Sequence, residues 1–348
     1  MIRGAMRVEA IVRDPQLDQI PSLAARLERL GFDGVAIPEI KRDPFIVAAL
    51  MAAASSSLRI ATAVALAFPR SPTVSAYSAR TLHDLSSGRF VLGLGTQVRG
   101  HVERRFGMPW SAPVERLREY VGAVHAVWRS WDKNEGPAFE GQHYRVTLMP
   151  PEFSPGPNSH APIPVHIGAV NVHMLRLAGE VCDGVRLHPF CTPEYLRQVV
   201  LPELAKGAAR VDRSLAGLEI VGGGFIASGP DEDNVTSVRE EIRRQIAFYA
   251  STRGYAPVLE LHGWSELGGE LRRLIAQQRW AEIASLVTDD MLDAFCVSGT
   301  YAQLASGVAD VYAGQVDTLA LSVPPDDSHD EAFADLLREL HEIPGRAE

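Results

Sequence analysis

The chain alternates between short apolar runs, typical of buried strands, and longer segments with the spacing of amphipathic helices. The first four apolar runs cover residues 6–12, 32–39, 58–68 and 89–95, and each is followed by a polar or helix-like segment. Strands that are apolar on both faces are typical of a parallel sheet covered by helices. The alternation therefore predicts an α/β fold.

The second part of the chain continues the pattern. We predict further strands at residues 163–168, 183–189, 218–228 and 316–324. Eight β-α steps predict a (β/α)8 TIM barrel, although an open doubly wound sheet has the same local signature. A barrel of about 250 residues with insertions accounts for a 348-residue chain as one domain over residues 1–348.

Residue types at the segment ends support these boundaries. Gly31 follows an amphipathic helix, where a left-handed residue commonly ends the helix. Asp43-Pro44 and Ser71-Pro72 each pair an N-cap residue with proline at the first helical position. We place the insertions after the fourth helix and after the seventh strand, the first holding a surface hairpin or single strand at residues 139–151.

Composition excludes several classes of protein. The formal net charge of -9 argues against nucleic-acid binding, which needs a basic surface. Cys182, Cys191 and Cys296 are isolated in sequence, so we expect buried free thiols rather than disulfides or a metal site. The longest apolar stretch, residues 45–54, is too short to cross a bilayer, and the beginning of the chain does not read as a signal peptide. We expect a cytoplasmic protein.

The stretch from Ser87 to Gly107 contains Gly93-x-Gly95 directly after the fourth strand. A dinucleotide-binding fingerprint would need a third glycine at Val98, and it would follow the first strand of a Rossmann fold. In a barrel, the carboxyl ends of the strands form the active site instead. Residues at such ends are therefore candidates for a ligand site: Glu39, Thr62, Ala63, Val64, Gly95, Thr96, Gln97, Gly168, Ala169, Val170 and His188.

Five stretches resemble the luciferase-like oxidoreductase superfamily, and in particular its branch that uses the deazaflavin coenzyme F420. The stretches are GFDGVAIPE (residues 31–39), ATAVALAFPRSP (61–72), LSSGRFVLGLGTQVRGHVERRFG (85–107), FEGQHYRVTLMPP (139–151) and PVHIGAVNVHMLRLAGEVCDGVRLHP (164–189). The resemblance implies a bacterial luciferase-like barrel that holds a flavin or deazaflavin ring in its mouth. FMN is the alternative cofactor.

Individual positions follow from that resemblance. It implies a non-proline cis peptide bond between Ala63 and Val64, packed against the ring. It assigns Glu39 and the loop Gly95–Thr96–Gln97 to the ring region, His101 to the polyol chain, and Gly168 and Ala169 to the phosphate region. Arg99, Arg104 and Arg105 either attract the anionic tail or pair with nearby acids such as Glu103 and Glu115.

Two positions depart from sugar-phosphate dehydrogenases of this branch. Ile40 stands where they have a histidine, and Val98 stands where they have a glutamate. Glu39, His101 and His188 remain as candidates for proton transfer, unless all three only bind the cofactor.

We therefore expect hydride transfer between the deazaflavin and a small organic substrate. The alternatives are an FMN-dependent monooxygenase and a barrel that binds flavin or another ligand without catalysis. Family members are often dimers, and the region of Leu85-Ser86 is a candidate homodimer interface.

Overall fold

The computed structural model describes residues 4–346, and these contain thirteen strands. In chain order the strands are β1 (Arg7–Ile11), β2 (Gly34–Ile37), β3 (Arg59–Thr62), β4 (Ala65–Leu66), β5 (Phe90–Gly95), β6 (Phe139–Glu140), β7 (Arg145–Val146), β8 (Val165–Ala169), β9 (Gly184–Leu187), β10 (Glu219–Val221), β11 (Phe225–Gly229), β12 (Cys296–Thr300) and β13 (Thr318–Ser322).

Fourteen α-helices lie within the same described range. They are α1 (Ile20–Leu30), α2 (Pro44–Ala54), α3 (Pro72–Leu85), α4 (Arg99–Arg104), α5 (Pro113–Lys133), α6 (Val172–Val181), α7 (Pro193–Tyr195), α8 (Leu201–Ala209), α9 (Glu232–Ala250), α10 (Ala256–Leu261), α11 (Ser265–Ala276), α12 (Asp289–Phe295), α13 (Leu304–Tyr312) and α14 (Asp330–His341).

Eight parallel strands close into a barrel. The order around the ring is β1, β2, β3, β5, β8, β9, β10 and β13, and β13 pairs with β1 through Arg7 opposite Thr318. Each barrel strand is followed along the chain by a helix on the outside, so the predicted (β/α)8 TIM barrel is confirmed. The carboxyl ends of all eight strands consequently meet at one mouth.

The predicted helix boundaries are confirmed by their capping contacts. The Asp43 side chain accepts hydrogen bonds from the backbone N–H groups of Phe45 and Ile46 at the start of α2. The Ser71 side chain accepts from the N–H of Val74 at the start of α3. Gly31 ends α1 with φ of 97°, a left-handed conformation that glycine adopts without a steric penalty.

Aspartates tie the amino ends of neighbouring strands together. Asp33, Asp183 and Asp317 each accept a backbone N–H with Oδ2, from Val8, Val165 and Ile220 respectively. The backbone N–H of each aspartate also donates to the carbonyl of the same partner residue. Each aspartate therefore pins the start of its strand to the adjacent strand at the end of the barrel opposite the mouth.

Two predicted strands are interrupted. The run at residues 58–68 forms β3 and the short β4, and the break falls at Ala63-Val64. The run at residues 218–228 forms β10 inside the barrel and β11 outside it, so the prediction of one continuous seventh strand was wrong. Gly222, with φ of 105°, turns the chain out of the barrel after β10.

The insertion after β10 has more structure than a broken helical region. Strand β11 pairs in parallel with β12, a strand that the sequence analysis did not assign. Helices α9 to α12 fill the chain between these two strands, and α13 then leads back to β13. The first insertion contains the antiparallel pair β6–β7, which confirms the hairpin alternative.

The three cysteines are free and buried, as expected. None of the helices in the described part of the chain combines the length and the apolar character needed to span a bilayer.

Candidate active site

A cavity of about 280 Å³ opens at the mouth of the barrel. Its wall combines ends of β1, β2, β9, β10 and β13 with the break after β3 and with helix α9. The lining residues are Ile11, Arg13, Ala36, Pro38, Ile40, Ala63, Arg186, Leu187, His188, Pro189, Val221, Gly222, Phe225, Gln245, Tyr249 and Ala320. A mostly apolar wall with a few convergent polar groups is typical of a small-molecule site.

His188 follows β9 and lies against two aromatic rings. Its ring centroid is 4.3 Å from that of Tyr249 and 4.9 Å from that of Tyr255. Nδ1 accepts a hydrogen bond of 3.0 Å from the backbone N–H of Phe190, so the proton of the neutral ring resides on Nε2. Burial, with a smaller contribution from the charge of Arg13, lowers the pKa of His188 to about 4. At neutral pH His188 is therefore an uncharged donor through Nε2.

The sequence analysis missed four polar residues of this cavity: Arg13, Arg186, Gln245 and Tyr249. Arg13 comes two residues after the end of β1, so its position at a strand end was a readable signal. Gln245 and Tyr249 lie four residues apart on α9, a spacing that places them on one helix face. No local sequence pattern indicates that this face of α9 packs against the barrel mouth.

The peptide bond between Ala63 and Val64 is cis, as the family resemblance implies. Ala63 lines the cavity, and Val64 extends toward the ends of the next two barrel strands. A Cβ atom on Gly95 would lie 2.4 Å from Cγ2 of Val64, whereas one on Gly168 would make ordinary contact at 3.6 Å. Glycine at Gly95 is thus required for Val64 to pack over the end of β5.

Thr62 lies beneath the mouth and is fully buried. Its hydroxyl donates to the carbonyl of Gly93 at 2.7 Å and accepts from the Gly93 N–H at 2.9 Å. These bonds join β3 to β5 beyond the point where their backbone ladder ends. The geometry favours an indirect role, in which Thr62 supports the residues that follow it.

Glu39 is held by two neighbours. Its Oε2 accepts from the backbone N–H of Leu66 at 2.8 Å and from the guanidinium of Arg70 at 2.7 Å. Arg70 also contacts Asp43, the N-cap of α2. The carboxylate therefore connects the end of β2 to the segment after the cis bond, which favours positioning over proton transfer.

The loop after β5 leads away from the cavity to a short exposed helix. Gln97 has φ of 58°, an uncommon value for a residue other than glycine, and its side chain accepts from the N–H of Val98. Thr96 is half-buried, whereas His101 is exposed on α4. His101 does not line the cavity that holds His188.

Two arginines of this loop have protein partners. Arg99 pairs with Glu103 at 3.1 Å, which confirms the pairing alternative for that residue. Arg105 donates to the carbonyl of Ile40, which ties α4 to the end of β2. The contact restrains the loop next to the cavity.

The end of β8 forms the remaining part of the predicted rim. Ala169 is buried, Gly168 and Val170 are half-buried, and the Val170 carbonyl accepts from the hydroxyl of Tyr195. The Asn171 side chain caps α6 by accepting from the N–H groups of His173 and Met174. Of the predicted site residues, Ala63 and His188 line the cavity, and the others do not.

A larger cavity, about 520 Å³, lies at the amino ends of the strands. There Arg59 forms two bonds of 2.7 Å with Glu219, and Arg7 lies 2.9 Å from the same carboxylate. Although burial opposes ionisation, Arg59 holds the pKa of Glu219 well below its usual range. Active sites of such barrels lie at the opposite end, so we assign this charged cluster to stability and the cavity at the mouth to function.

Within residues 4–346, no group of three or more His, Cys, Asp or Glu side chains is arranged to hold a metal ion.

Together, the fold and the cavity define a (β/α)8 barrel with a candidate ligand site at the carboxyl ends of its strands. Residues 3–318 match the family described as luciferase-like monooxygenase. The chain belongs to this family.

Relatives and solved structures agree with that membership. The chain is 40% identical to the uncharacterised protein Rv1360 of Mycobacterium tuberculosis over 316 residues, which are 90% of this chain and 93% of the relative. It is 30% identical to the putative coenzyme F420-dependent oxidoreductase Rv3520c of the same organism, covering 80% and 82% of the two chains.

The fold is also similar to that of the F420-dependent tetrahydromethanopterin reductase of Methanopyrus kandleri, with a TM-score of 0.78. The identity is 20%, and 97% of this chain and 98% of that one are covered. Solved monooxygenases share the fold as well.

Proposed function

We propose that this protein is an F420-dependent oxidoreductase that transfers a hydride between the deazaflavin and a small organic substrate. The observation that carries the proposal is the cavity at the mouth, where an apolar wall meets the neutral donor His188. The choice of F420 is supported by the 30% identity to a putative F420-dependent oxidoreductase and by the motifs around Gly95 and Gly168.

The residues around the cavity fit a flat aromatic ring. Ala63, Pro38 and Leu187 offer small or apolar surfaces, and Gly168 adds no side chain beside Val64. We assign the ring to this wall and the polyol and phosphate chain to the side of Gln97, His101 and Gly168. Val64 and Gly95 then support the ring region from the β5 side.

When bound, the deazaflavin supplies hydride chemistry at its C5 position. The chain's own residues orient the reactants and exclude water. His188 donates a hydrogen bond from Nε2 to an oxygen of the substrate, and Tyr249 and Tyr255 shield its ring from solvent. With a pKa near 4, His188 acts as a donor that polarises the oxygen rather than as a charged acid. Glu39 keeps the segment after the cis bond in place.

The first test is a fluorescence titration of the pure protein with F420 and, separately, with FMN. We expect saturable micromolar binding of F420 and much weaker binding of FMN. The reverse preference would overturn the cofactor assignment and favour an FMN-dependent monooxygenase.

The second part of the test concerns turnover. We expect His188→Asn to retain F420 binding and to lose most hydride transfer across a panel of alcohols and carbonyl compounds. His329→Asn, an exposed histidine at the start of α14, is the matched control and should leave both properties unchanged. F420 binding without turnover by the unaltered protein would favour a non-catalytic barrel. Such a result would be consistent with Ile40 and Val98, which replace the histidine and glutamate of the sugar-phosphate dehydrogenases.

A further inference from the structure

The cavity at the mouth has an unbalanced positive charge. Of its described lining residues, Arg13 and Arg186 are the charged ones. Arg186 is neutralised by Glu9, with contacts of 2.8 and 3.3 Å between the guanidinium and the carboxylate. Arg13 is exposed to the cavity and has no hydrogen bond or ion pair with any described residue.

A smaller chamber of about 130 Å³ adjoins the main cavity. Arg13 and Gln245 line both spaces and therefore lie at the junction. Ile11 and Phe225 give both spaces an apolar wall, and Glu241 and Ser322 add polar groups to the smaller chamber. A molecule that extends from His188 into the chamber passes the free guanidinium and the amide of Gln245.

Arg13 lies across the barrel from the region assigned to the cofactor's anionic tail. It follows β1, and in the ring of strands β1 is separated from β8 by three strands in either direction. The loops after β5 and β8 are the ones that match the family's ring and phosphate positions. Arg13 is consequently free to recognise a different anion.

We propose that the substrate of this site is a carboxylate-bearing oxo or hydroxy compound with an apolar body, whose carboxylate binds Arg13 and whose reacting oxygen accepts a hydrogen bond from His188. This inference rests on the proposed function for the reacting oxygen, whereas the carboxylate site is independent of the cofactor. A guanidinium presents paired N–H groups that match the two oxygens of a carboxylate, and such charge-assisted bonds are among the stronger ones in proteins. Arg13 thus determines specificity and does not take part in the transfer.

Calorimetry with matched probes tests this site. The probes are 4-phenyl-2-oxobutanoate and its methyl ester, added to the protein with and without F420. We expect the acid to bind about tenfold more tightly than the ester, because a hydrogen bond to a charged group contributes on that order. Arg13→Met should remove this preference. Arg244→Met, an exposed arginine on α9 outside the cavity lining, changes the net charge equally and should retain it.

Other outcomes would overturn the proposal. If the acid and the ester bound equally, no specific carboxylate site would exist. The same conclusion would follow if both arginine variants lost the preference for the acid to the same extent. Glu241 lines the smaller chamber, so tighter binding of 4-phenylbutylamine than of the acid, abolished by Glu241→Gln, would identify a cation site instead.

The cofactor's own phosphate is the other source of an anion. If Arg13→Met weakened binding of F420 but not of its phosphate-free chromophore, Arg13 would serve the cofactor and the substrate assignment would be wrong. Failure of F420 to bind, with the acid still preferred through Arg13, would overturn the proposed function and leave the carboxylate site standing.

Discussion

His188 shows how the surroundings of one residue decide its chemistry. Its place after β9 was readable from the sequence, because strand ends form the mouth of a barrel. Its protonation state was not readable from the sequence. That state depends on burial by Tyr249 and Tyr255, which come from a distant helical insertion, and on the hydrogen bond from the N–H of Phe190. The result is a donor that stays neutral across the physiological range.

The low pKa of His188 predicts a specific pH dependence of stability. Between about 6.5 and about 4 the unfolded chain binds a proton at this residue and the folded protein does not. The free energy of unfolding therefore falls as the pH falls through this window, by up to about 1.4 kcal/mol per pH unit for one such group. His188→Asn should show a smaller fall, measured by urea unfolding at several pH values.

The other buried histidines are the same in His188→Asn and in the unaltered protein. The difference between their two pH profiles of unfolding free energy therefore reports on His188 alone. Parallel pH profiles for the unaltered protein and His188→Asn would contradict the assignment of a depressed pKa.

The three glycines after β10 divide one apolar run into two strands. Gly222 has φ of 105°, and a Cβ atom there would lie 3.1 Å from the carbonyl oxygen of Leu187. Gly223 and Gly224 pack against Tyr312, whose hydroxyl accepts the N–H of Gly224 at 2.6 Å. Apolar periodicity alone does not reveal such a turn, because the strand pattern resumes directly after it.

Gly222→Ala is expected to destabilise the protein by about 1–3 kcal/mol, since alanine is strained in this conformation and its methyl group meets Leu187. Gly217→Ala is the matched control, because a Cβ atom there has no heavy atom within 4 Å and the backbone is not left-handed. Chemical denaturation of both variants measures the difference. Equal stability of the two would show that Gly222 is not constrained.

An exposed apolar surface on α2 and α3 is the basis for the expected homodimer. Ile46 and Leu50 on α2 are 58% and 38% exposed, and Val74 and Leu85 on the neighbouring α3 are 54% and 46% exposed. Leu85 belongs to the candidate interface that the sequence analysis placed at Leu85-Ser86. Apolar side chains that cluster on adjacent helices are typical of surfaces that associate.

We predict that the double variant Ile46→Glu with Leu50→Glu weakens self-association, because two carboxylates would be desolvated in the interface. Sedimentation equilibrium should show a dimer for the unaltered protein and predominantly monomer for the variant. Val211→Glu, at a residue that is 44% exposed after α8, should leave the dimer intact. A monomeric unaltered protein would contradict the expectation.

The barrel was predictable because each of its steps has a local cause. Apolar strands, proline and aspartate or serine at helix starts, and glycine at helix ends all act within a few residues. The aspartates before β2 and β9 also follow a local pattern, since Asp33 and Asp183 each precede a glycine at the strand start. Eight such steps suffice for closure into a ring.

The candidate active site depends on contacts between residues far apart in the chain. Glu39, Ala63, Gly95 and His188 could be assigned to the mouth from strand ends and from the family resemblance. The sequence left open which of them face a common space, because a strand end does not specify the direction of its side chain. Only the tertiary structure shows that Ala63 and His188 share a cavity with Arg13 and with α9. It also shows that Thr62 and Glu39 bind neighbouring strands together. His101 lies outside this cavity. The physical reason is that residues near each other in sequence determine each strand and helix. The burial and charge pairing of the site side chains, in contrast, arise only where distant segments pack together.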